Sequence, residues 1–198
     1  MSNIREPVYF TRLDAAFRKY RLETFVETGT GPDPGGVGIA QALMLNTYSC
    51  DISASSCANA HRRYPQAYIF NSESDAFLRT VLPTISGQRT FFWLDAHFPQ
   101  LEQYDAPTNV SFWPVYEEMQ LIKQLKVGYE HDVIWIDDIF CIVDDLNPRY
   151  REPEMHGSHL AQRDRPFSDY LELFADTHHP TTYIDFEGVL AFYPRSLP

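Results

Sequence analysis

Cysteine is scarce in this chain: Cys50, Cys57 and Cys141 make an odd count with no C-x-x-C pair. That argues against a disulfide-stapled scaffold and a cysteine-rich zinc site, and for a reducing compartment. Long apolar runs are missing too. No segment reaches the roughly 20 apolar residues of a membrane span, and no apolar stretch of a secretory leader follows Arg5. Basic residues are outnumbered, 16 Lys+Arg against 27 Asp+Glu, for a formal net charge of −11. Such a chain repels a nucleic-acid backbone and an anionic membrane alike. There are no internal repeats, low-complexity tracts or linkers. The expectation is a cytoplasmic protein without nucleic-acid or membrane partners, with a homodimer admitted. At 198 residues it is read as one domain, 1–198, large enough to bury a core unaided.

What the chain does have is a glycine-rich turn. Residues Phe25 to Gly38 read as the end of a buried strand (Phe25, Val26), an acid (Glu27), a turn through Gly29 and Gly31, and a helix opening near Val37. A strand–turn–helix of this kind brings backbone N–H groups close to a ligand. Glycine alone says little, because any sharp βα turn can use it. Glu27 sharpens the signal, since a carboxylate there repels a pyrophosphate but attracts an ammonium or a ribose hydroxyl. The G-x-G-x-x-G spacing also fails, with Pro34 in the third position. The residues point to a positively charged nucleoside-type cofactor, not NAD.

In chain order, residues 1–21 carry a helical pattern (Leu13, Ala16, Phe17, Tyr20) suited to a sheet edge. Strands are expected at Phe25–Thr30, Tyr48–Ile52, Ala67–Phe70, Thr90–Leu94 and Asp132–Ile136, with helices at Val37–Leu45, Ser55–Tyr64, Asp75–Leu82, Val115–Lys126 and Pro166–Phe174. Ser53 or Ser55 is the candidate N-cap of the second of these helices. In Val115–Lys126, Met119, Ile122 and Leu125 form the apolar stripe, leaving Glu117, Glu118 and Lys123 for water. Thr181–Phe186 and Val189–Pro194 flank Glu187-Gly188 as a hairpin. The irregular stretch 147–165 reads as a lid or substrate loop. Strand–helix alternation implies a mostly parallel sheet with helices on both faces. Asp51 ends the second strand about 20 residues past the turn, the place of a ribose-binding acid in a βαβ nucleoside site.

Three stretches, Phe25-Val26-Glu27-Thr28-Gly29-Thr30, Trp93-Leu94-Asp95-Ala96-His97 and Ile136-Asp137-Asp138, resemble the class I S-adenosylmethionine-dependent methyltransferase family, in a bacterial branch. The likeness spans Phe25 to Asp138. It implies a three-layer Rossmann-like sandwich whose seven-stranded, mostly parallel sheet has the order 3-2-1-4-5-7-6 and an antiparallel C-terminal hairpin. It implies S-adenosylmethionine as cofactor, with Glu27, Thr28, Gly29, Thr30 and Gly31 at its methionine end and ribose. Asp51 would take the ribose hydroxyls, with Ile52 beside it. Ser72 and Glu73 would lie by the adenine, and Asp95 at the methyl-transfer site. Pro32 and Pro34 depart from the family's looser turn.

The acids that end the fourth and fifth strands carry further chemistry. Asp95, Asp137 and Asp138 would converge at one sheet edge, where a shared divalent metal such as Mg²⁺ would relieve their repulsion. Alternatively Asp137 or Asp138 caps the next segment while the other is solvated. His97 reads either as the base that takes the acceptor's proton or as a group that orients Asp95. His156 and His159 have H-x-x-H spacing but lie in a polar loop, so solvated histidines are favoured over zinc. His178 and His179 are assigned to a turn, and Cys141 to the core rather than to a nucleophile. Phe91, Phe92 and Trp93 read as sheet core. Phe98, Tyr104, Phe112 and Trp113 anchor a loop or stack on an acceptor, and Arg149, Tyr150 and Arg151 form a rim or meet an acidic acceptor. The expected activity is methyl transfer to an oxygen of a small-molecule acceptor, sugar- or natural-product-like. The alternative is a non-catalytic S-adenosylmethionine- or nucleoside-binding subunit. A metal-dependent phosphoesterase lacks basic residues near the crevice.

Overall fold

The computed structural model describes residues 7–43, 45–96, 113–139, 166–183 and 188–196. Elements run α1 (Pro7–Tyr20), β1 (Thr24–Thr28), α2 (Gly35–Ala42), β2 (Asn46–Asp51), α3 (Ala54–Arg63), β3 (Tyr68–Asn71), α4 (Ser74–Val81), β4 (Thr90–Leu94), α5 (Val115–Leu125), β5 (Val133–Ile136), α6 (Phe167–Leu173), β6 (His178–Tyr183) and β7 (Val189–Pro194). The sheet has the order β3-β2-β1-β4-β5-β7-β6. Strands β1 to β5 pair in parallel, and β7 is antiparallel to both β5 and β6. This is the expected mixed sheet, and it runs between two layers of helices.

Alternation along the strands builds two cores. Val26, Phe92, Ile134 and Phe192 point to one face, where Leu78 of α4, Met119 and Ile122 of α5 and Tyr170 of α6 cover them. Phe25, Phe91, Trp135 and Ala191 point to the other, under Leu13, Ala16 and Tyr20 of α1 and Ile39 and Ala40 of α2. Strands buried on both faces read as continuous apolar runs, which is why Thr90–Leu94 is bounded correctly from sequence. Helix α1 corrects an expectation: it covers this sheet face rather than an edge. Tyr20 stacks on Tyr193 at 5.7 Å, and the Arg12 guanidinium lies 4.1 Å from the centre of the Tyr183 ring.

Two more assignments change. His178 and His179 belong to β6, not to a turn. Pro180 interrupts the strand pattern of the sequence, but β6 is an edge strand, where a missing N–H breaks no ladder. His178 is buried, its Nε2–H donating to the Asp132 carbonyl (3.0 Å) and its Nδ1 accepting from the Thr177 hydroxyl (2.8 Å). Burial pulls its pKa down to about 4, so it is a neutral structural residue. Glu118, assigned to water, is fully buried. It sits three residues after Val115 and four before Ile122, on the apolar stripe itself.

At the N-terminal ends of β4 and β5, opposite the glycine turn, Lys126 and Asp132 form a fully buried ion pair at 2.9 Å. The Thr90 N–H also donates to Asp132 (2.8 Å), and Lys126 donates to the Gln88 carbonyl (2.8 Å). No helix among the described residues is long and apolar enough to cross a membrane.

Candidate functional site

The strand order reverses between β1 and β4, and open α/β sheets form a ligand crevice at the carboxyl ends of the strands at such a point. Here the tips are laced together beyond the strands. The Ser72 N–H donates to the Asp51 carbonyl (3.0 Å) and the Gly29 N–H to the Cys50 carbonyl (2.9 Å). Asp95 N–H donates to the Thr28 carbonyl (3.0 Å) and Asp137 N–H to that of Leu94 (3.1 Å). One row of backbone thus carries Ser72, Asp51, Gly29, Asp95 and Asp137.

The glycines of the turn do different things. Gly29 has φ +82°, and a Cβ there would collide with the Asp95 carbonyl oxygen, with the Asp95 carbonyl carbon 2.7 Å and the Ala96 nitrogen 2.9 Å away. The chain leaving β4 therefore passes directly against Gly29. Gly31 has φ +67° and, among the described residues, nothing within 4 Å of the same position, so they leave its surface open. Gly36, in the first turn of α2, lies against the Glu27 Oε1, where a Cβ would overlap the carboxyl. Pro34 sits at the N-cap of α2, ahead of N–H groups that have no helical partner anyway, so its missing donor costs the helix nothing. The stiff Pro32–Pro34 strap is tied to α3 by the Asn59 amide on the Pro32 carbonyl (2.8 Å) and by Arg63 on Asp33 (2.6 Å).

Asp51 is held by two backbone donors, Gly31 N–H on Oδ2 (2.7 Å) and Ser53 N–H on Oδ1 (2.8 Å). Ser53 caps α3, as expected, by accepting from the Ser56 N–H. Burial raises the Asp51 pKa, Asp95 adds to the rise, and the two N–H donors oppose it. Glu27 is 3% exposed. Its Oε2 accepts the Ser49 hydroxyl at 2.6 Å, and Ser49 Oγ lies 2.6 Å from Thr30 Oγ1. Burial pushes Glu27 up to about 8, with Ser49 opposing and the Asp95 and Asp51 charges adding to the rise.

Thr28 faces the other way. Its hydroxyl donates to Glu118 (3.2 Å) and accepts from the Asp95 N–H (3.3 Å). Ile52 and Ser72 are half-buried at the β2 and β3 tips, and Glu73 is exposed at the N-cap of α4. The Asn71 amide donates to the carbonyls of Asp51 and Ile52, both at 3.0 Å. Ser49, Asn71 and Glu118 were not read as site residues. Ser49 and Asn71 become visible only through the pairing register, Glu27↔Ser49 and Asp51↔Asn71. The position of Glu118 between Val115 and Ile122 on the apolar stripe was the signal that could have marked it.

The metal reading fares differently. Among the described residues no group of three His, Cys, Asp or Glu could hold a metal ion, so Asp95, Asp137 and Asp138 are not gathered as a ligand set. The reason is local: Asp137 is buried and its Oδ1 accepts the Asp138 N–H (2.9 Å), while Asp138 adopts φ +51°. The carboxylate of Asp137 turns back onto its own chain. Trp113 packs against the core, consistent with anchoring. His97, Phe98, Tyr104, Phe112, Cys141, Arg149, Tyr150, Arg151, His156, His159, Glu187 and the stretch 147–165 lie outside the described residues.

No protein-family model matches the sequence, and no curated protein does. Solved structures do match. A Podospora anserina methyltransferase, PaMTH1, in its SAH-bound form is 14% identical over 99% of this chain and 80% of its own, with a TM-score of 0.63. A Staphylococcus aureus protein provisionally named a caffeoyl-CoA O-methyltransferase is 9% identical over 95% and 84%, with a TM-score of 0.65. A Geobacter sulfurreducens methyltransferase is 12% identical over 96% and 80%, with a TM-score of 0.58. At these identities the likeness establishes the architecture: this chain has the fold of S-adenosylmethionine-dependent methyltransferases.

Proposed function

We propose that this chain is an S-adenosylmethionine-dependent methyltransferase that acts on an oxygen of a small-molecule acceptor. One observation carries the reading: Gly31 leaves open space beside a backbone-held Asp51, with the Glu27 carboxyl buried directly behind the turn. The donor set fits this cofactor. Each Asp51 oxygen has a lone pair left for a ribose hydroxyl after its backbone bond. The acidic surroundings suit a cation and repel a pyrophosphate. When bound, S-adenosylmethionine supplies an electrophilic methyl group on a positively charged sulfur. The likeness to an SAH-bound methyltransferase and to a protein provisionally named an O-methyltransferase supports the cofactor and the acceptor atom.

In this reading Glu27 and the Gly29–Gly31 backbone hold the methionine end and ribose, and Asp51 orients the ribose. Ile52, Ser72 and Glu73 border the base. Asp95 stands at the tip of β4 to position the acceptor, with His97 as the base that takes its proton. The chain works as one unit, with 147–165 as the element that meets the acceptor. Placing an acceptor against the methyl group is the main source of rate, since such a displacement gains chiefly from proximity and orientation.

Calorimetry with S-adenosylmethionine and S-adenosylhomocysteine tests the cofactor. Micromolar binding that Asp51→Ala abolishes is the expected result, and no binding refutes the proposal. Transfer of labelled methyl to a small-molecule extract tests the activity, and silence across a broad acceptor panel favours a non-catalytic binding subunit.

A further inference from the structure

Glu27 is a buried carboxyl at the tip of β1, and among the described residues no cation is found beside it. From β2 it meets the Ser49 hydroxyl, from α2 the backbone of Gly36, and across β4 it pairs in register with Trp93. The charged groups that act on it, Asp95 beyond β4 and Asp51 at the end of β2, are carboxylates too. A buried carboxyl on which two further carboxylates act is disfavoured in its ionised form. Ser49 and Thr30 continue from Glu27 as a chain of hydroxyls with spacings of 2.6 Å and 2.6 Å, reaching the turn that borders the crevice. Such a chain serves either protonation state. With Glu27 ionised, Thr30 donates to Ser49 and Ser49 to the carboxylate. With Glu27 neutral, its O–H donates to Ser49, Ser49 to Thr30, and the Thr30 proton is turned toward the ligand.

We propose that Glu27 carries a proton in the free protein and releases it to solvent when the cationic cofactor docks, so that the site exchanges a proton for the charge of its ligand. This rests on the cofactor reading above and adds a specificity role for Glu27. The balance is simple: a neutral carboxyl and a cation become a carboxylate paired with that cation, plus one proton taken up by buffer. The raised pKa of Glu27, about 8 in the free protein, has the direction this requires. Binding then tightens as pH rises toward 8 and levels off above it, because less proton must be displaced.

The test is calorimetry of the full chain with S-adenosylmethionine at pH 7 in phosphate and in Tris, whose ionisation enthalpies differ, repeated from pH 6 to 9. Wild type should release about one proton per cofactor at pH 7, with affinity rising by up to about tenfold per pH unit below pH 8. Glu27→Gln, which matches the neutral carboxyl in shape, should bind more weakly and lose that proton. The cofactor's own amine titrates in both proteins, so the difference between them is the reading. Equal proton release in wild type and Glu27→Gln overturns the proposal. Ser49→Ala gives a second route that does not depend on the Gln variant folding. It removes the hydroxyl that favours the ionised form, so the midpoint of the pH dependence should move up, and an unmoved midpoint overturns the relay. Absence of binding in every form sinks the cofactor reading, and this inference with it. Binding without proton release sinks this inference alone.

Discussion

A methyl group added at Gly29 and one added at Gly31 should have different consequences, although both glycines lie in the left-handed region at φ +82° and +67°. An alanine held in that region costs about 1–2 kcal/mol. At Gly29 the new Cβ also meets the Asp95 carbonyl and the Ala96 nitrogen. Those atoms are backbone, fixed by the Asp95 N–H bond to the Thr28 carbonyl, so they cannot rotate away. Overpacking against rigid neighbours adds about 1–3 kcal/mol. The Gly29→Ala total is about 2–5 kcal/mol, a large part of the roughly 5–15 kcal/mol that holds a domain folded. With a urea m-value of about 2 kcal/mol/M, the midpoint should fall by about 1–2.5 M. At Gly31 nothing among the described residues lies within 4 Å, so only the backbone term applies and the midpoint should fall by less than about 1 M. Yet Gly31→Ala places its methyl in the space proposed for the cofactor, and affinity should drop by at least about tenfold, equivalent to about 1.4 kcal/mol. Urea titrations of both variants, followed by calorimetry on Gly31→Ala, decide the matter. A Gly29→Ala midpoint within about 0.3 M of wild type would refute the reasoning. So would a Gly31→Ala variant that loses as much stability as Gly29→Ala.

Other outcomes follow from the same geometry. Lys126→Met should destabilise the fold by about 3–5 kcal/mol in chemical denaturation, because Asp132 is left buried and ionisable; Lys126→Met with Asp132→Asn should recover most of that loss. Ser53→Ala should cost about 1 kcal/mol through the lost cap of α3, and an unchanged urea midpoint would show that the cap contributes nothing. Stability of the cofactor-free chain should decline as pH rises from about 4.5 to about 8, since folded Glu27 keeps a proton that the unfolded carboxyl releases. Glu27→Gln should shallow that limb, and an identical limb counts against it. His178 works in the opposite sense. Its folded pKa of about 4 lies below the 6.5 of a free ring, so acid between those values protonates the unfolded state and lowers stability. Thermal melts at pH 4 to 7 on His178→Gln, compared with wild type, should show that acid limb reduced.

Much of the site was legible in advance because each cue was local. The Gly29–Gly31 turn, Asp51 at a strand end, the Ser53 cap and the acid at Asp95 each depend on a few neighbouring residues, and short-range backbone chemistry sets them. What failed needed a partner distant in sequence. Glu118 reads as a solvent residue until α5 is laid on β1 and its carboxyl meets Thr28. His178 and His179 read as a turn until β6 takes its place at the sheet edge.

Short continuous apolar runs, then, fixed which segments become the central buried strands, and the glycines fixed where the chain turns at the strand tips. Registry was decided only in three dimensions. The pairings Glu27↔Ser49 and Asp51↔Asn71 bring together groups about 20 residues apart. They turn a buried acid into a hydroxyl-linked one, and that depends on how parallel strands align, which no single segment encodes. Asp137 differs: its carboxylate looked free to meet Asp95 but is drawn onto the neighbouring Asp138 N–H by the turn that follows β5, a local effect. Burial decides whether a carboxyl keeps its charge, and burial belongs to the assembled sheet rather than to the chain.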